Sequence, residues 1–201
     1  NTPVREVFRY MARHCAAHLP VVYLLTVRGR DPAGHLQTRG LFAGDDDTCF
    51  LQGAVLCQQV NITLLEEPIR KAVVRLNPNE YQSTWLGNKA IYRTRLAMAD
   101  DGELVVLAPG VRTFGEDPTI DRLIRRYGYH GTEATLQAVR ENDDLSDNLA
   151  AAAHVIHGSS EGRFRITYCP GGLNRSDIEG AGYDYADPTE AERRYAATHL
   201  R

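Results

Sequence analysis

Two apolar runs, KAVVRL (Lys71–Leu76) and ELVVLAP (Glu103–Pro109), with a helical stretch between them, constrain this chain more than any other feature. Short runs rich in β-branched residues and bounded by turn residues read as strands. A helix between two strands carries the chain back to the end where the first strand began, so the second runs parallel to the first. A βαβ unit at 71–108 therefore predicts an α/β fold, a three-layer domain on a largely parallel sheet.

The flanking segments add to this frame. Pro3 to His18 reads as a helix with Thr2 as N-cap and with Val4, Val7, Phe8, Met11 and Ala12 at three-and-four spacing; Pro20 ends it. VVYLLTV (Val21–Val27) and LQTRGLF (Leu36–Phe42), joined by DPAG, predict an antiparallel edge hairpin. GDDD (Gly44–Asp47) is an acidic cap for a helix over Thr48–Val60, with Phe50, Leu51, Val55 and Leu56 expected to face inward. NITLLEE reads as a short strand, Lys89 to Ala99 as a helix, and DDG (Asp100–Gly102) as a turn. A helical insertion at 115–157 follows, with Thr132 and Ser146 as caps or near-caps. RFRITYC (Arg163–Cys169) returns to the sheet, a short helix begins near Asn174 or Ser176, and the tail TEAERRYAATHL reads as helix.

With 201 residues, 43% hydrophobic and 24% charged, the chain has the composition of a soluble domain with its own core, and its length also accommodates two small lobes. A formal net charge of -3 excludes reliance on a general basic field for nucleic acid, so a bound anion must be met by a local cluster. No apolar run approaches the length that spans a bilayer. Cys15, Cys49, Cys57 and Cys169 form no CxxC pair, which points to reduced thiols in a cytoplasmic protein. The chain opens at Asn1 directly in amphipathic helix, as a sequence beginning mid-protein would.

In a parallel sheet, ligands gather at the carboxyl ends of the strands. The segments expected there are Asn77–Asn88, PGVRTFGED (Pro109–Asp117) and PGGLNRSD (Pro170–Asp177). Lys89 follows Gly87 and Asn88 at a helix start, where the peptide dipoles already present positive charge. A bound carboxylate or phosphate would reverse that cost, with Gly87 admitting close approach and Asn88 capping the helix. The ordinary alternative is a solvated surface lysine. Arg175, near a helix start in PGGLNRS, also suits an anion, but no GK[ST] phosphate loop accompanies it.

Other candidates read as structural. His14 and His18 have metal-ligand spacing without a third ligand nearby. HVIHGSSEGR (His154–Arg163) offers a serine beside a histidine base but lacks the setting of a nucleophile elbow, so it reads as a helix stop and polar turn with His157, Ser159 and Glu161 satisfying backbone groups. Glu116 and Asp117 precede Pro118 as ordinary capping residues. No metal site is expected in this chain.

STWLGNKAIYRTR, APGVRTFGEDPTIDRLIRRYGYHGT and AAAHVIHGSSEGRFRITYCPGGL, in this order and with FAGD (Phe42–Asp45) before them, resemble the carboxyl-terminal part of the lactate racemase family, most closely its D-mannonate epimerase branch. The resemblance implies that residues 1–201 are the carboxyl-terminal domain of an isomerase that inverts C2 of a 2-hydroxy acid by hydride transfer to a nickel-pincer nucleotide. The family's acid/base histidines, nickel ligand and cofactor-linking lysine belong to an amino-terminal domain, the implied partner. Lys89 matches a lysine that approaches cofactor and substrate oxygens. Leu86 stands where lactate-type members carry glutamine, which turns the expectation from lactate toward a sugar acid. Thr84, Trp85, Asn88 and Arg93 are the nearby candidates for its additional hydroxyls. Neither nucleic acid nor membrane is an expected partner.

Overall fold

The computed structural model describes residues 2–195. The chain divides into two compact units, Asn1–Leu64 and Leu65–Arg201.

In the first unit, Thr2 caps helix α1 (Pro3–His14), its Oγ1 accepting from the Arg5 N–H at 3.2 Å, and Pro3 takes the position that needs no donor. The α-helix ends at His14, and Ala16–His18 form a separate 3-10 turn. Strands β1 (Tyr23–Arg30) and β2 (Leu36–Gly44) pair antiparallel as expected, but as a two-stranded sheet of their own and not as an edge of the parallel one. Helix α2 (Asp47–Asn61), capped by Asp46, buries Cys49 and Gly53, whereas Phe50, Leu51 and Val55 are exposed. Apolar residues surround α2, so periodicity alone did not choose its inner face. The small residue Gly53 lets the helix axis approach the Phe42 ring of β2. NITLLEE does not pair as a strand.

The second unit runs β3 (Ile69–Arg75), α3 (Thr84–Gly87), α4 (Lys89–Thr94), β4 (Met98–Ala108), α5 (Pro118–Tyr127), α6 (Thr132–Glu141), α7 (Asp143–Ser146), α8 (Leu149–His157), β5 (Arg165–Pro170), α9 (Arg175–Gly180), β6 (Asp184–Tyr185) and α10 (Pro188–Arg194). The four strands lie in the order β3-β4-β5-β6, all parallel. Alternate residues of β4 serve opposite faces. Leu104, Val106 and Ala108 join the helices of the insertion in the main core, while Val105 and Leu107 pack with Cys169 and with Ala191 of α10. The sheet is thus covered on both faces, which makes three layers and explains the unbroken apolar run of β4.

Two local expectations change. The helix ends at Thr94, whose hydroxyl donates to the carbonyls of Ala90 and Ile91, and Leu96 stands 91% exposed in the following turn. DDG is not a turn between elements but an irregularity within β4, where Asp101 has φ 59° and the pairing with β3 slips between Ile69 and Lys71. The caps are also more specific than the sequence indicated. Gly131 is the N-cap of α6, Asn148 rather than Ser146 caps α8, and Asn174 and Asp177 form a capping box on α9. Of the tail, Pro188–Arg194 is helical, and residues beyond 195 lie outside the described ones. Among the described residues, no helix is long and apolar enough to cross a membrane.

Candidate functional site

The loops at the carboxyl ends of β3 and β4 are joined by backbone pairing. The Thr84 and Trp85 N–H groups donate to the carbonyls of Thr113 and Phe114 at 3.0 and 2.9 Å, and the Arg112 N–H donates to Gln82 at 2.9 Å. This pairing fixes where α3 begins. Ser83 caps it, accepting from the Leu86 N–H at 3.4 Å and donating its hydroxyl to Glu116. Asp117 accepts from the Thr119 and Ile120 N–H groups, so it is the cap of α5 that its place before Pro118 indicated. Lys89 does open a helix, α4, but that helix has six residues and follows α3 with only Asn88 between them. A dipole this short places little positive charge at Lys89. The anomaly read from the sequence is correspondingly weaker.

Asn88 does not cap α4 with its side chain. It is 2% exposed, and its Nδ2 donates to the Tyr183 hydroxyl at 2.9 Å, which in turn donates to the Gly158 carbonyl at 2.7 Å. Its Oδ1 is buried without a partner, as is the Tyr168 hydroxyl. A Cβ on Gly158 would stand 2.5 Å from both Asn88 Nδ2 and the Tyr129 ring, so this close packing requires glycine.

Thr84 is fully buried. Its hydroxyl donates to the Phe114 carbonyl at 3.0 Å and lies 2.7 Å from the Tyr129 hydroxyl, which lies 3.1 Å from His154 Nε2. The Tyr129 ring stacks on Tyr183 at 4.6 Å with 4° between planes, and Tyr183 on Tyr168 at 5.5 Å. Trp85 lies across His154 at 4.5 Å. Burial, with His157 as a second cause, pushes the His154 imidazole down to about 4, and burial pushes the hydroxyls of Tyr129, Tyr168 and Tyr183 up.

Lys89 is half-buried and makes no ion pair or hydrogen bond among the described residues. The chain has 23 Lys and Arg together, of which Lys71 and Lys89 are the lysines. Lys71 Nζ is paired with Glu103 at 2.6 Å, and that contact first of all holds its ammonium above the usual lysine range. A compact cation without a carboxylate, in a chain whose other basic residues are arginines apart from Lys71, is the distinctive charge here.

The structure thus brings Thr84 and Trp85 on α3, Asn88 at the junction and Lys89 on α4 together. Thr84 and Asn88 point inward and are hydrogen-bonded to Tyr129 and Tyr183. Arg93 is exposed one turn beyond Lys89. Arg175 lies at the start of α9, its guanidinium held by Glu179 at 2.9 Å and over Tyr185 at 4.8 Å, with no polar partner on α3 or α4. Ser159 and Glu161 form the expected polar turn, in which Glu161 accepts both the N–H and the hydroxyl of Thr132. Sequence reasoning missed Tyr129 and Tyr183, and read the run that begins at His154 as a helix stop and polar turn. A histidine inside LAAAAHVIH, one turn after buried Ala151, was the signal for His154. Among the described residues, no three His, Cys, Asp or Glu side chains converge as a metal site.

Neither the family models nor the curated proteins include a match to this chain. Solved structures do match. A protein from Thermotoga maritima has a TM-score of 0.73 at 20% identity, over 96% of this chain and 49% of that one. The lactate racemase apoprotein from Thermoanaerobacterium thermosaccharolyticum has a TM-score of 0.64 at 16% identity, over 100% of this chain and 46% of that one. The fold is therefore lactate racemase-like, and the chain spans about half the length of either structure.

Proposed function

We propose that this chain is the carboxyl-terminal, substrate-facing domain of a racemase or epimerase that inverts C2 of a 2-hydroxy acid, with a sugar acid such as D-mannonate as its substrate class. The observation that carries the reading is the unpartnered ammonium of Lys89 on a lactate racemase-like fold. A hydroxy acid brings a carboxylate and, at C2, an oxygen on which charge changes during inversion. A cation without a protein counter-ion stabilises such an oxygen more effectively in a partly desolvated cleft than in water.

A nickel-pincer nucleotide, when bound, supplies the hydride acceptor. Among the described residues none forms a metal ligand set, and an amino-terminal domain holds the group in this reading. The fit with this chain lies in Lys89, whose ammonium suits the oxygens of substrate or cofactor. Lys89 orients the acid, Trp85 and Leu86 line the wall beside it, and Tyr129 and Tyr183 hold the helices that carry them. The lactate racemase-like fold favours lactate as a second reading. The polar His154 beside Trp85 and the apolar Leu86 in place of glutamine favour the sugar acid.

The test is chiral analysis of D-mannonate and of lactate incubated with the full-length protein in deuterium oxide. Inversion with preference for D-mannonate and little deuterium at C2 is expected, because a hydride moves and not a solvent proton. Equal kcat/KM for both acids would remove the sugar-acid preference, rapid C2 labelling the hydride transfer, and no inversion of either acid the enzyme reading itself.

A further inference from the structure

The hydrogen bonds that end at His154 determine which of its nitrogens carries a proton. The Phe114 carbonyl can only accept, so the single hydroxyl proton of Thr84 is committed to it at 3.0 Å. Thr84 Oγ1 must then accept from the Tyr129 hydroxyl at 2.7 Å, which commits the Tyr129 proton in turn. Tyr129 is left as an acceptor toward His154 Nε2 at 3.1 Å, so Nε2 carries the N–H. The imidazole, neutral near pH 7, is left with a bare lone pair on Nδ1. Among the described residues Nδ1 has no hydrogen-bond partner, and on this half-buried residue it is not sealed from solvent. The Trp85 indole lies across the same ring, and Lys89 stands one helical turn beyond Trp85.

We propose that His154 is a specificity-determining residue whose Nδ1 accepts a hydrogen bond from a substrate hydroxyl beyond C2, and that Tyr129 is the positioning residue that holds its tautomer. The proposal rests on the hydroxy-acid reading above and deepens it. A lone-pair acceptor beside an indole face suits a C–H and O–H bearing polyol chain and gives nothing to the methyl group of lactate. A site built to pair a hydroxyl discriminates strongly against an analogue that lacks it.

The test uses the full-length protein labelled with 15N-histidine, with His154→Phe to assign the resonance. D-mannonate and lactate are the probes, and Trp85, the single tryptophan of this chain, is followed by its NMR indole resonance. The expected free state has a protonated Nε2 and a bare Nδ1. D-mannonate should shift Nδ1 toward lower 15N frequency, while lactate leaves it unmoved. Tyr129→Phe should give a mixture of tautomers, an effect that loss of packing alone does not produce. His154→Phe, which keeps an aromatic ring against Trp85, should lower kcat/KM for D-mannonate by about tenfold or more and change that for lactate by less than about twofold. A proton on Nδ1 in the free protein overturns the proposal. So does D-mannonate that shifts Trp85 and is turned over without moving Nδ1, an outcome that leaves the proposed function standing. If neither acid is turned over and neither moves Trp85, the proposed function fails first and this inference with it.

Discussion

Acidification from pH 7 to pH 4 should destabilise the second unit, with His154 contributing a separable share. The imidazole titrates near 6.5 when exposed in the unfolded chain and near 4 in the folded one. Its folded value is depressed, so between these limits the unfolded chain binds a proton that the folded chain refuses, and stability falls as pH falls. With those two values, linkage gives a loss of about 1.2 kcal/mol at pH 5.5 and about 3 kcal/mol at pH 4 relative to neutral pH. Asp121, Asp144, Glu103 and Glu161 have folded values below the usual carboxylate range and add their own losses in acid, so the wild type alone does not isolate the histidine. His154→Phe does, because phenylalanine keeps a ring against Trp85 and removes the titration. Urea unfolding followed by Trp85 fluorescence at pH 7, 5.5 and 4 should show the wild type losing about 3 kcal/mol more than the variant over this range. Parallel losses in the two proteins would show that His154 is not buried as described, and the argument for its neutral, acceptor state would fall.

Gly158→Ala should destabilise the protein by about 1–3 kcal/mol in urea unfolding, because the new methyl group meets Asn88 Nδ2 and the Tyr129 ring at 2.5 Å. Tyr183→Phe removes the hydroxyl between Asn88 and Gly158 and should cost about 1–3 kcal/mol by the same measurement, since it leaves the Asn88 amide and a buried carbonyl unpaired. Lys71→Met breaks the ion pair with Glu103 on the β3–β4 ladder, so a loss of up to about 1 kcal/mol is expected with kcat/KM for the hydroxy acid unchanged.

The parts of the fold that the sequence made legible are those governed by neighbours along the chain. KAVVRL and ELVVLAP pair in parallel, Thr2 and Asp117 cap the helices they precede, and Asn174 opens α9. The face of α2 was not legible, because its apolar residues lie on every side and contact with the Phe42 ring chose the small ones. Nor was the irregularity at Asp101, since DDG serves a turn and a strand slip equally well until the β3 register is known. The site divides in the same way. Trp85 and Lys89 stand close in sequence and were identified together, whereas Thr84 meets Tyr129 across 45 residues and Asn88 meets Tyr183 across 95. No periodicity or cap rule reports such pairs, and only the tertiary fold shows that Thr84 and Asn88 are committed to the interior.

If Lys89 supplies the cation of a hydroxy-acid site, the kcat/KM of the Lys89→Met variant of the full-length protein reports it. Methionine keeps most of the side-chain length and removes the charge, and among the described residues Lys89 has no partner to lose. The unfolding midpoint in urea should therefore stay within about 0.5 kcal/mol of wild type. Inversion of D-mannonate should fall about tenfold to a thousandfold, the range expected when a charged hydrogen bond worth about 1.5–4 kcal/mol is lost from a transition state. Full activity in Lys89→Met would contradict the account.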